Sequence, residues 1–268
     1  MSGSLRVQQH FDEHSSEYAE KYSDTYMVLC RNENRFLRQH TSYTPTSELD
    51  VLDIGAGAGT WGDLLLEEYP QARVVCADLS FVMLRRNRRD ARKDLVRTDA
   101  TRPPFAPHGF DLVSISALMH HLIDYSGYAA TIRNITSFLG STKSLLKPGG
   151  YVIVREIYHE SLGRENTVSQ LLFYLSTMAA PGPLRSLLRA GGIRSQGAGA
   201  CFLTRRQWAS VVAESGYRVV GEEALDWKVP VRRQLATLRR SGDLFLLLSP
   251  MEEAVPAPAK PLSVGGTS

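Results

Sequence analysis

Short apolar runs alternate with amphipathic segments through the middle of the chain. Residues 51–54 form one such run, and residues 61–69 after it place apolar side chains at helical spacing among acidic ones. Residues 74–78 form a second apolar run. A strand, a helix that packs on it and another strand make up the repeating unit of a parallel sheet. The pattern therefore predicts an α/β fold.

The same alternation continues towards the C-terminus. Residues 128–146 predict a helix that ends at residues 148–150, Pro-Gly-Gly, before the next strand. A last helix begins at Thr204, which is a suitable N-cap residue. Residues 218–225 and 243–249 then predict the two final strands.

Three glycines, Gly55, Gly57 and Gly59, follow the first predicted strand directly. Glycine allows backbone dihedral angles that a Cβ forbids, and it lets a ligand approach the main chain closely. A strand, a glycine turn and a helix in this order predict a nucleotide-cofactor site. Asp78 follows Gly59 by about 20 residues, the spacing at which an acid reaches ribose hydroxyls.

Two classes of nucleotide cofactor use such a turn. A dinucleotide-binding turn has its third glycine where this chain has Thr60, and it usually has no acid at the end of the strand. This chain instead has Asp53 inside the strand. Asp53 favours S-adenosylmethionine over a dinucleotide.

Four further blocks follow the glycine turn in order, and the chain resembles class I S-adenosylmethionine-dependent methyltransferases over all five. The resemblance is greatest to the small-molecule branch that includes ubiquinone and menaquinone biosynthesis methyltransferases. That branch also has an N-terminal F-x6-Y pattern, seen here as Phe11 and Tyr18. The four blocks are DLSFVML (78–84), RTDATRPPF (97–105), FDLVSISALMHHLID (110–124) and LLKPGGYVIVRE (145–156).

The resemblance implies a Rossmann-like, doubly wound, seven-stranded sheet whose last strand is antiparallel. Residues 1–45 are expected to form an N-terminal helical cover that folds over the cofactor. Residues 46–251 form the methyltransferase domain, with an inserted substrate cap at 157–202. Residues 252–268 are rich in Pro, Ala, Gly and Ser, and we expect a disordered tail.

The expected cap holds an apolar stripe at helical spacing. Such a stripe fits core packing or a dimer contact more simply than a substrate wall, so a homodimer through the cap is an expected partner arrangement. The segment beyond Pro181 is glycine-rich and suggests a mobile lid, whose arginines fit a solvated surface or an acidic substrate. The stripe is Val168, Leu171, Leu172, Leu175 and Met178, and the arginines are Arg185, Arg189 and Arg194.

The resemblance also implies which residues bind S-adenosyl-L-methionine and its product S-adenosyl-L-homocysteine. Backbone groups of residues 55–57 line the amino-acid end, and Asp78 accepts both ribose hydroxyls because one carboxylate offers two acceptor oxygens. Asp99 meets the adenine amino group, and Tyr18 closes over the site. The implied set is Tyr18, Asp53, Gly55, Ala56, Gly57, Asp78, Leu79, Met83, Asp99, Ala100 and Ser116.

Two histidines follow the fourth predicted strand, where loops at the carboxyl ends of parallel strands meet the ligand crevice. By resemblance, His121 lies near the reacting centre, and its imidazole can accept a proton from a phenol, enol or acidic carbon near neutral pH. His120 is expected not to take part. The alternative is that His121 only packs or hydrogen-bonds, with alignment of the reactants as the main catalytic device.

Charge and motifs narrow the chemical class of the methyl acceptor. The net charge of +3 is small, and the basic run at residues 84–94 is expected on the solvated outer face of a helix, so nucleic acid is not the favoured partner. Pro103 and Pro104 precede the fourth strand, whereas a nucleobase methyltransferase signature would follow it. No carboxylate cluster suggests a metal. Methyl transfer to a small molecule at C, O or N therefore leads. A cyclisation on the same fold and a macromolecular acceptor stay as alternatives.

The remaining composition favours a cytoplasmic enzyme. The longest apolar run of the last strand, residues 244–248, is far short of the roughly 18 residues that span a bilayer. The first residues lack the apolar core of a secretory signal. Cys30, Cys76 and Cys201 are odd in number and widely spaced, which fits reduced thiols.

Overall fold

The computed structural model of the chain describes residues 5–9, 11–13, 23–161, 167–177, 198–228 and 238–251. Seven strands in this part of the chain form one sheet: β1 Asp50–Ile54, β2 Arg73–Asp78, β3 Lys93–Arg97, β4 Phe110–Ser116, β5 Leu146–Ser161, β6 Tyr217–Asp226 and β7 Leu238–Pro250. Their spatial order is β3-β2-β1-β4-β5-β7-β6. β7 runs antiparallel to both of its neighbours, and the other pairs are parallel. The Rossmann-like fold is confirmed.

Helices cover both faces of this sheet. One face packs against α1 and α2 through a core that includes Phe36, Trp61 and Leu65. The other packs against α4 and α6 through a core that includes Ile135 and Trp208. The helices are α1 Ser23–His40, α2 Thr60–Glu68, α3 Phe81–Leu84, α4 Tyr128–Ser141, α5 Thr167–Thr177 and α6 Arg205–Glu214, with single 3-10 turns at Met119–His121 and Thr142–Leu145.

The predicted N-cap of the last helix is confirmed. The Thr204 hydroxyl accepts from the amide of Gln207, and the Gln207 side chain accepts from the amide of Thr204, so two otherwise free backbone donors are satisfied. Trp208 is buried on the sheet side of this helix.

The helix predicted over the basic run 84–94 is wrong. α3 ends at Leu84, and no helix follows before β3 begins at Lys93. The Lys93 ammonium is buried and lies 2.8 Å from the carboxylate of Asp63 on α2, and Arg88 reaches the same carboxylate at 3.5 Å. These ion pairs fold the run back onto α2, which a pattern of basic residues alone does not indicate.

The helix predicted at 128–146 is shorter than expected. α4 ends at Ser141, and β5 already begins at Leu146, so the Pro-Gly-Gly segment at 148–150 lies within the strand. The strand accommodates it because the register of β4 with β5 shifts between Phe110 and Leu112. Such an irregularity is where a strand tolerates proline.

The predicted start of the cap, at residue 157, lies within the sheet. β5 continues to Ser161 and pairs with β7 as far as Leu238, so residues 157–161 belong to the sheet. This pairing satisfies the backbone of residues that were expected outside the sheet. Residues 162–166 and 178–197 of the expected cap lie outside the described residues, as does the expected tail at 252–268. Tyr18, Met178, Pro181 and the three arginines fall there too.

The cap stripe is only partly buried. α5 buries Ser169, Phe173 and Ser176. Leu171, a member of the stripe, is 56% exposed, whereas Val168, Leu172 and Leu175 are half-buried. Phe173, which is not in the stripe, packs edge-on against the buried ring of Tyr128 on α4. Core packing or a dimer contact of the stripe stays a prediction.

Candidate functional site

The glycine turn lies at the carboxyl ends of the central strands, between β2 and β4, where the strand order reverses. Gly55, Gly57 and Gly59 have φ of 78°, 54° and 74°, in the left-handed region that favours glycine. The amides of Gly55 and Ala56 both donate to the carbonyl of Ala77, at 2.8 and 3.1 Å. No described residue donates to the carbonyl of Gly55, so this oxygen can face a ligand.

Asn87 supports the turn from outside, and the sequence analysis missed it. Its Nδ2 donates to the carbonyl of Gly57 at 2.9 Å. A Cβ on Gly59 would lie 1.7 Å from Asn87 Oδ1, so glycine is required there for close approach as well as for backbone conformation. A single asparagine beyond a short helix carries no sequence signal of this role.

Asp78 ends β2 beside the turn. One carboxylate oxygen accepts from the amide of Gly57 and the other from the amide of Ser80, each at 2.8 Å. Burial raises the pKa of Asp78, and these amides partly offset that effect. Each oxygen keeps a further lone pair, so the carboxylate can still accept two hydroxyl groups.

The N-terminal segment reaches this end of the site. The Ser80 hydroxyl caps α3 by accepting from the amide of Met83 at 3.1 Å, and it also donates to the carboxylate of Asp12. Leu79 lies between, and its carbonyl accepts from Arg97 at 3.3 Å. The helical residues around Asp12 therefore lie over the loop that follows β2.

Asp99 and Ala100 follow β3, next to the end of β2. Asp99 Oδ1 accepts from the amide and the hydroxyl of Thr101, at 2.9 and 2.8 Å. The amide of Thr98 donates to the carbonyl of Asp78 at 3.0 Å, which ties the two strand ends together. Ala100 packs against the core. The structure thus brings both residues to the edge that holds the glycine turn.

An acidic cluster lies on the α1 side of the sheet; it comprises Glu33 and Asp243 beside Arg155, together with Asp53, which interacts with Glu33. Burial, followed by the charge of Glu33, raises the pKa of Asp53 to about 8. Arg155 Nε donates to Glu33 at 3.1 Å, and Arg155 Nη1 lies 3.6 Å from Asp243. Ser116 donates its hydroxyl to Glu33 at 2.6 Å. The Ser116 side chain is therefore engaged by α1.

The loop after β4 is held from the opposite face by Glu156. Glu156 Oε1 accepts from the amides of Leu118 and Met119 at 2.8 and 2.5 Å, and Glu156 Oε2 lies 2.7 Å from His120 Nδ1. Ala117, before these residues, has φ of 52°, which is rare without glycine. Sequence analysis missed Glu156, although a charged pair that ends the apolar strand YVIVRE is a signal for it.

Five rings form a row beside this loop, and we call them the ring row: Phe11, His121, His120, Phe202 and His159. Successive ring centroids are 5.2, 4.1, 5.5 and 4.3 Å apart. His121 Nδ1 also lies 3.3 Å from the carbonyl of Gly199.

The ring row and the glycine turn are neighbours. A Cβ on Gly55 would lie 3.1 Å from a methyl group of Leu118, the residue two positions before His120. The structure therefore brings together the turn, Asp53, Asp78 and the two histidines at one edge of the sheet. Pro103 and Pro104 lie outside this arrangement, in the loop between β3 and β4.

A seven-stranded sheet of this order, with a glycine turn after β1 and an acid at the end of β2, defines the fold of S-adenosylmethionine-dependent methyltransferases. The chain belongs to the methyltransferase domain family, whose model matches residues 18–222. The resemblance to class I enzymes is thereby confirmed. Family and fold together imply binding of S-adenosylmethionine.

Individual relatives match parts of the chain. A demethylmenaquinone methyltransferase of Renibacterium salmoninarum is 32% identical over 157 residues, 57% of this chain and 60% of the relative. A malonyl-[acyl-carrier protein] O-methyltransferase of Legionella pneumophila is 33% identical over 107 residues, 37% of this chain and 38% of the relative. The chain thus matches less than two thirds of the length of either relative.

A solved structure shares the fold. A SAM-dependent methyltransferase of Leishmania major superposes with a TM-score of 0.61 at 14% identity, covering 92% of this chain and 83% of that one. In the part of the chain that the structure describes, no helix is long and apolar enough to cross a membrane. The same residues hold no group of His, Cys, Asp and Glu that could bind a metal ion.

Proposed function

We propose that the chain transfers a methyl group from S-adenosylmethionine to a small, planar, quinone-like or other aromatic acceptor, at C, O or N. The observation that supports this most directly is the contact between Gly55 and Leu118, because it joins the glycine turn to the ring row. A cofactor on the turn and an acceptor against the rings would then be neighbours. Named relatives that act on demethylmenaquinone agree with this acceptor class.

The described residues fit the cofactor. Asp78 holds lone pairs for a ribose diol, Leu79 and Met83 would flank the adenine, and Asp99 with the Ala100 amide would meet its edge. The carbonyl of Gly55 would accept from the amino group of the methionine end. Tyr18 would close over the site. When bound, the cofactor supplies a methyl group already activated by a sulfonium.

The acidic cluster favours a positive charge at this site. Glu33 and Asp243 are buried beside Arg155, and Asp53 is buried near Glu33. Burial raises the pKa of all three carboxyl groups, so a positively charged ligand nearby would favour their ionised forms and be stabilised by them in turn. The sulfonium and ammonium groups of the cofactor are such partners, whereas the thioether of the product is neutral. Asp53 would thus contribute electrostatically rather than by direct contact.

The aromatic character of the ring row supports a planar acceptor. Offset and edge-to-face aromatic contacts each add about 0.5 to 1.5 kcal/mol beyond area burial. His121, the proton acceptor predicted from the sequence, lies in this row. A nucleic-acid acceptor gains no support, because Arg88 and Lys93 of the basic run are engaged by Asp63. No contact favours cyclisation.

Location and assembly complete the proposal. We propose a cytoplasmic protein, and a homodimer through the described part of the cap, where Leu171 and Tyr174 are 56% and 50% exposed on α5. Size-exclusion chromatography with light scattering on wild type and Leu171→Glu would test the dimer. A monomer at all concentrations would contradict it.

The cofactor assignment is tested by isothermal titration calorimetry with S-adenosylhomocysteine. Asp78→Ala removes a charged acceptor from two hydroxyls, so affinity should fall roughly 10- to 100-fold. Asp94→Ala is the matched control, because Asp94 is an exposed carboxylate on the neighbouring strand β3. Equal affinities of the two variants would overturn the role of Asp78, provided that both keep the wild-type circular dichroism spectrum.

The reaction itself is tested with S-adenosylmethionine and naphthohydroquinone, followed by mass spectrometry. The proposal expects S-adenosylhomocysteine together with a product one methylene heavier. Conversion of an acceptor without S-adenosylhomocysteine would favour the cyclisation class instead. Methylation of bulk tRNA in preference to every phenolic probe would contradict the small-molecule assignment.

A further inference from the structure

We infer that His120, held by Glu156, accepts the proton that the acceptor loses, and that Glu156 is its positioning residue. This inference rests on the proposed methyl transfer and adds the group that removes the proton. It assigns to His120 the role that the sequence analysis gave to His121. The geometry of the Glu156 carboxylate carries the inference.

Glu156 is fully engaged at the end of β5. Its side chain is completely buried, and its three short contacts are with two loop amides and the His120 ring. A buried carboxylate is costly unless it is hydrogen-bonded, and amide N–H groups stabilise its ionised form. The carboxylate therefore both fixes the loop after β4 and presents a negative oxygen to the imidazole.

This contact selects one tautomer of His120. An ionised carboxylate only accepts hydrogen bonds, so Nδ1 must carry the hydrogen that it donates to Glu156 Oε2. In the neutral ring, Nε2 then holds the free lone pair. Within the described part of the chain, no hydrogen bond engages Nε2. A base whose far nitrogen is held by a carboxylate is both oriented and made more basic.

His121 differs in its surroundings. Its Nδ1 faces the carbonyl of Gly199 at 3.3 Å, and the Phe11 ring packs edge-on against it. A neutral carbonyl does not stabilise an imidazolium as an ionised carboxylate does. These contacts suit a side wall of the acceptor site, next to the His120 ring at 4.1 Å between ring centroids.

Other ionisable groups surround His120. Glu156 contacts it from β5, and His121 lies on its own turn. His159 stacks on the other side of Phe202, and the amide of Cys201 donates to the His120 carbonyl at 2.8 Å. Burial and the charge of Glu156 raise the pKa of Cys201 to about 12, so its thiol stays protonated near neutral pH. Glu156 is then the negative charge in contact with the imidazole.

The proton transfer balances as follows for an O–H or N–H acceptor. The acceptor atom forms its bond to the methyl carbon as the carbon–sulfur bond breaks, and that electron pair stays on sulfur. The acceptor's proton moves to His120 Nε2, which gives an imidazolium opposite the Glu156 carboxylate. His120 returns the proton to water after product leaves. Sulfonium and acceptor thus yield thioether, methylated acceptor and one proton.

The first test reads the tautomer directly, without turnover. Nitrogen-15 NMR of ring-labelled protein should show His120 with a protonated Nδ1 and an unprotonated Nε2. Glu156→Gln replaces the carboxylate by an amide that can also donate, so Nδ1 need no longer carry the hydrogen and the second tautomer should appear. A wild-type ring protonated at Nε2 would overturn the inference, whether or not an acceptor has been found.

The second test uses turnover with S-adenosylmethionine and naphthohydroquinone. His120→Ala should lower kcat about 10²- to 10⁴-fold with unchanged affinity for S-adenosylhomocysteine, and His121→Ala should mainly raise KM. Glu156→Gln should move the acid limb of the pH profile to lower pH, because activity requires the neutral imidazole. A merely structural Glu156 would leave that limb in place.

The outcomes separate the two proposals. Loss of kcat in His121→Ala with normal kcat in His120→Ala would overturn the inference and restore the sequence-based assignment. Absence of S-adenosylhomocysteine formation by the wild type with every acceptor would instead count against methyl transfer itself. If Glu156→Gln does not fold, Glu156→Asp keeps the charge but shortens the reach, and it should lower kcat without moving the acid limb towards lower pH.

Discussion

Two clusters of buried charge flank the same strand end, and they are compensated differently. Arg155 and Glu156 are consecutive on β5, so their side chains point to opposite faces of the sheet. On the α1 side, one arginine meets two acids, Glu33 and Asp243, and a third acid, Asp53, is buried near Glu33. On the α4 side, one acid meets two amides and an imidazole.

The difference separates binding from chemistry. Burial raises the pKa of Glu33, Asp53 and Asp243 in the acidic cluster, so a cationic ligand can stabilise their ionised forms. Glu156 differs, because each of its oxygens is in use. Its charge is instead available to the ring that it holds. We therefore expect the first cluster to govern affinity and stability, and the second to govern rate.

The largest effect should come from breaking the acidic cluster. Arg155→Leu leaves Glu33 and Asp243 buried without their cation, which typically costs about 3 to 5 kcal/mol of unfolding free energy. Arg205→Leu is the control, because the Arg205–Glu222 pair is exposed and such pairs contribute less than about 1 kcal/mol. Urea denaturation measures both. Equal losses of unfolding free energy in the two variants would mean that Arg155 does not compensate buried negative charge in the cluster.

The parts of the site that are contiguous in the chain could be predicted from the sequence. The glycine turn, Asp78 and the two histidines lie in short motifs whose strand and turn context is local. Glu33 and Arg155 meet only because α1 packs across the sheet onto β5. No sequence motif at Glu33 or at Arg155 indicates that the other residue lies nearby. The fold followed from apolar periodicity, which depends on neighbours along the chain.

The wrong predictions of secondary structure arise, like the missed contacts, from tertiary interactions that the local sequence does not show. Arginine has a good helix propensity, so residues 84–94 favour a helix when taken alone. The buried contact between Lys93 and Asp63 is a tertiary effect that overrides this preference. In α5, the sequence pattern pointed to the leucines, but Phe173 is the most buried large side chain there, and it packs against Tyr128 on α4.

An effect of intermediate size is expected in the pH dependence of stability, and it concerns Asp53 of the acidic cluster. The pKa of Asp53 is raised to about 8 by burial and Glu33, so the native state holds this proton while the unfolded state, near 3.8, releases it. The unfolding free energy that Asp53 contributes is thus present below pH 4 and is lost as the pH rises to about 8.

Asp53→Asn removes this titration. The stability of the variant relative to wild type should rise between pH 4 and 8 by up to about 1.4 kcal/mol per pH unit. Denaturation at several pH values measures the difference, and the exposed Asp94→Asn should give a flat line. A flat line for Asp53→Asn as well would place its pKa in the ordinary range, so that Asp53 would be ionised in the acidic cluster at neutral pH.

The smallest effect concerns the residue that joins the clusters. Ala117 donates its amide to the Arg155 carbonyl at 2.7 Å and holds φ at 52°, a conformation that costs a non-glycine residue about 1 kcal/mol. Ala117→Gly relieves this strain but makes the unfolded chain more flexible, so a net gain of about 0.5 kcal/mol is expected. Ala106→Gly, exposed and without positive φ, should lose a similar amount. If Ala117→Gly also lowers kcat, the strained residue helps to hold His120 in register with the glycine turn, and unchanged kcat would leave that task to Glu156 alone.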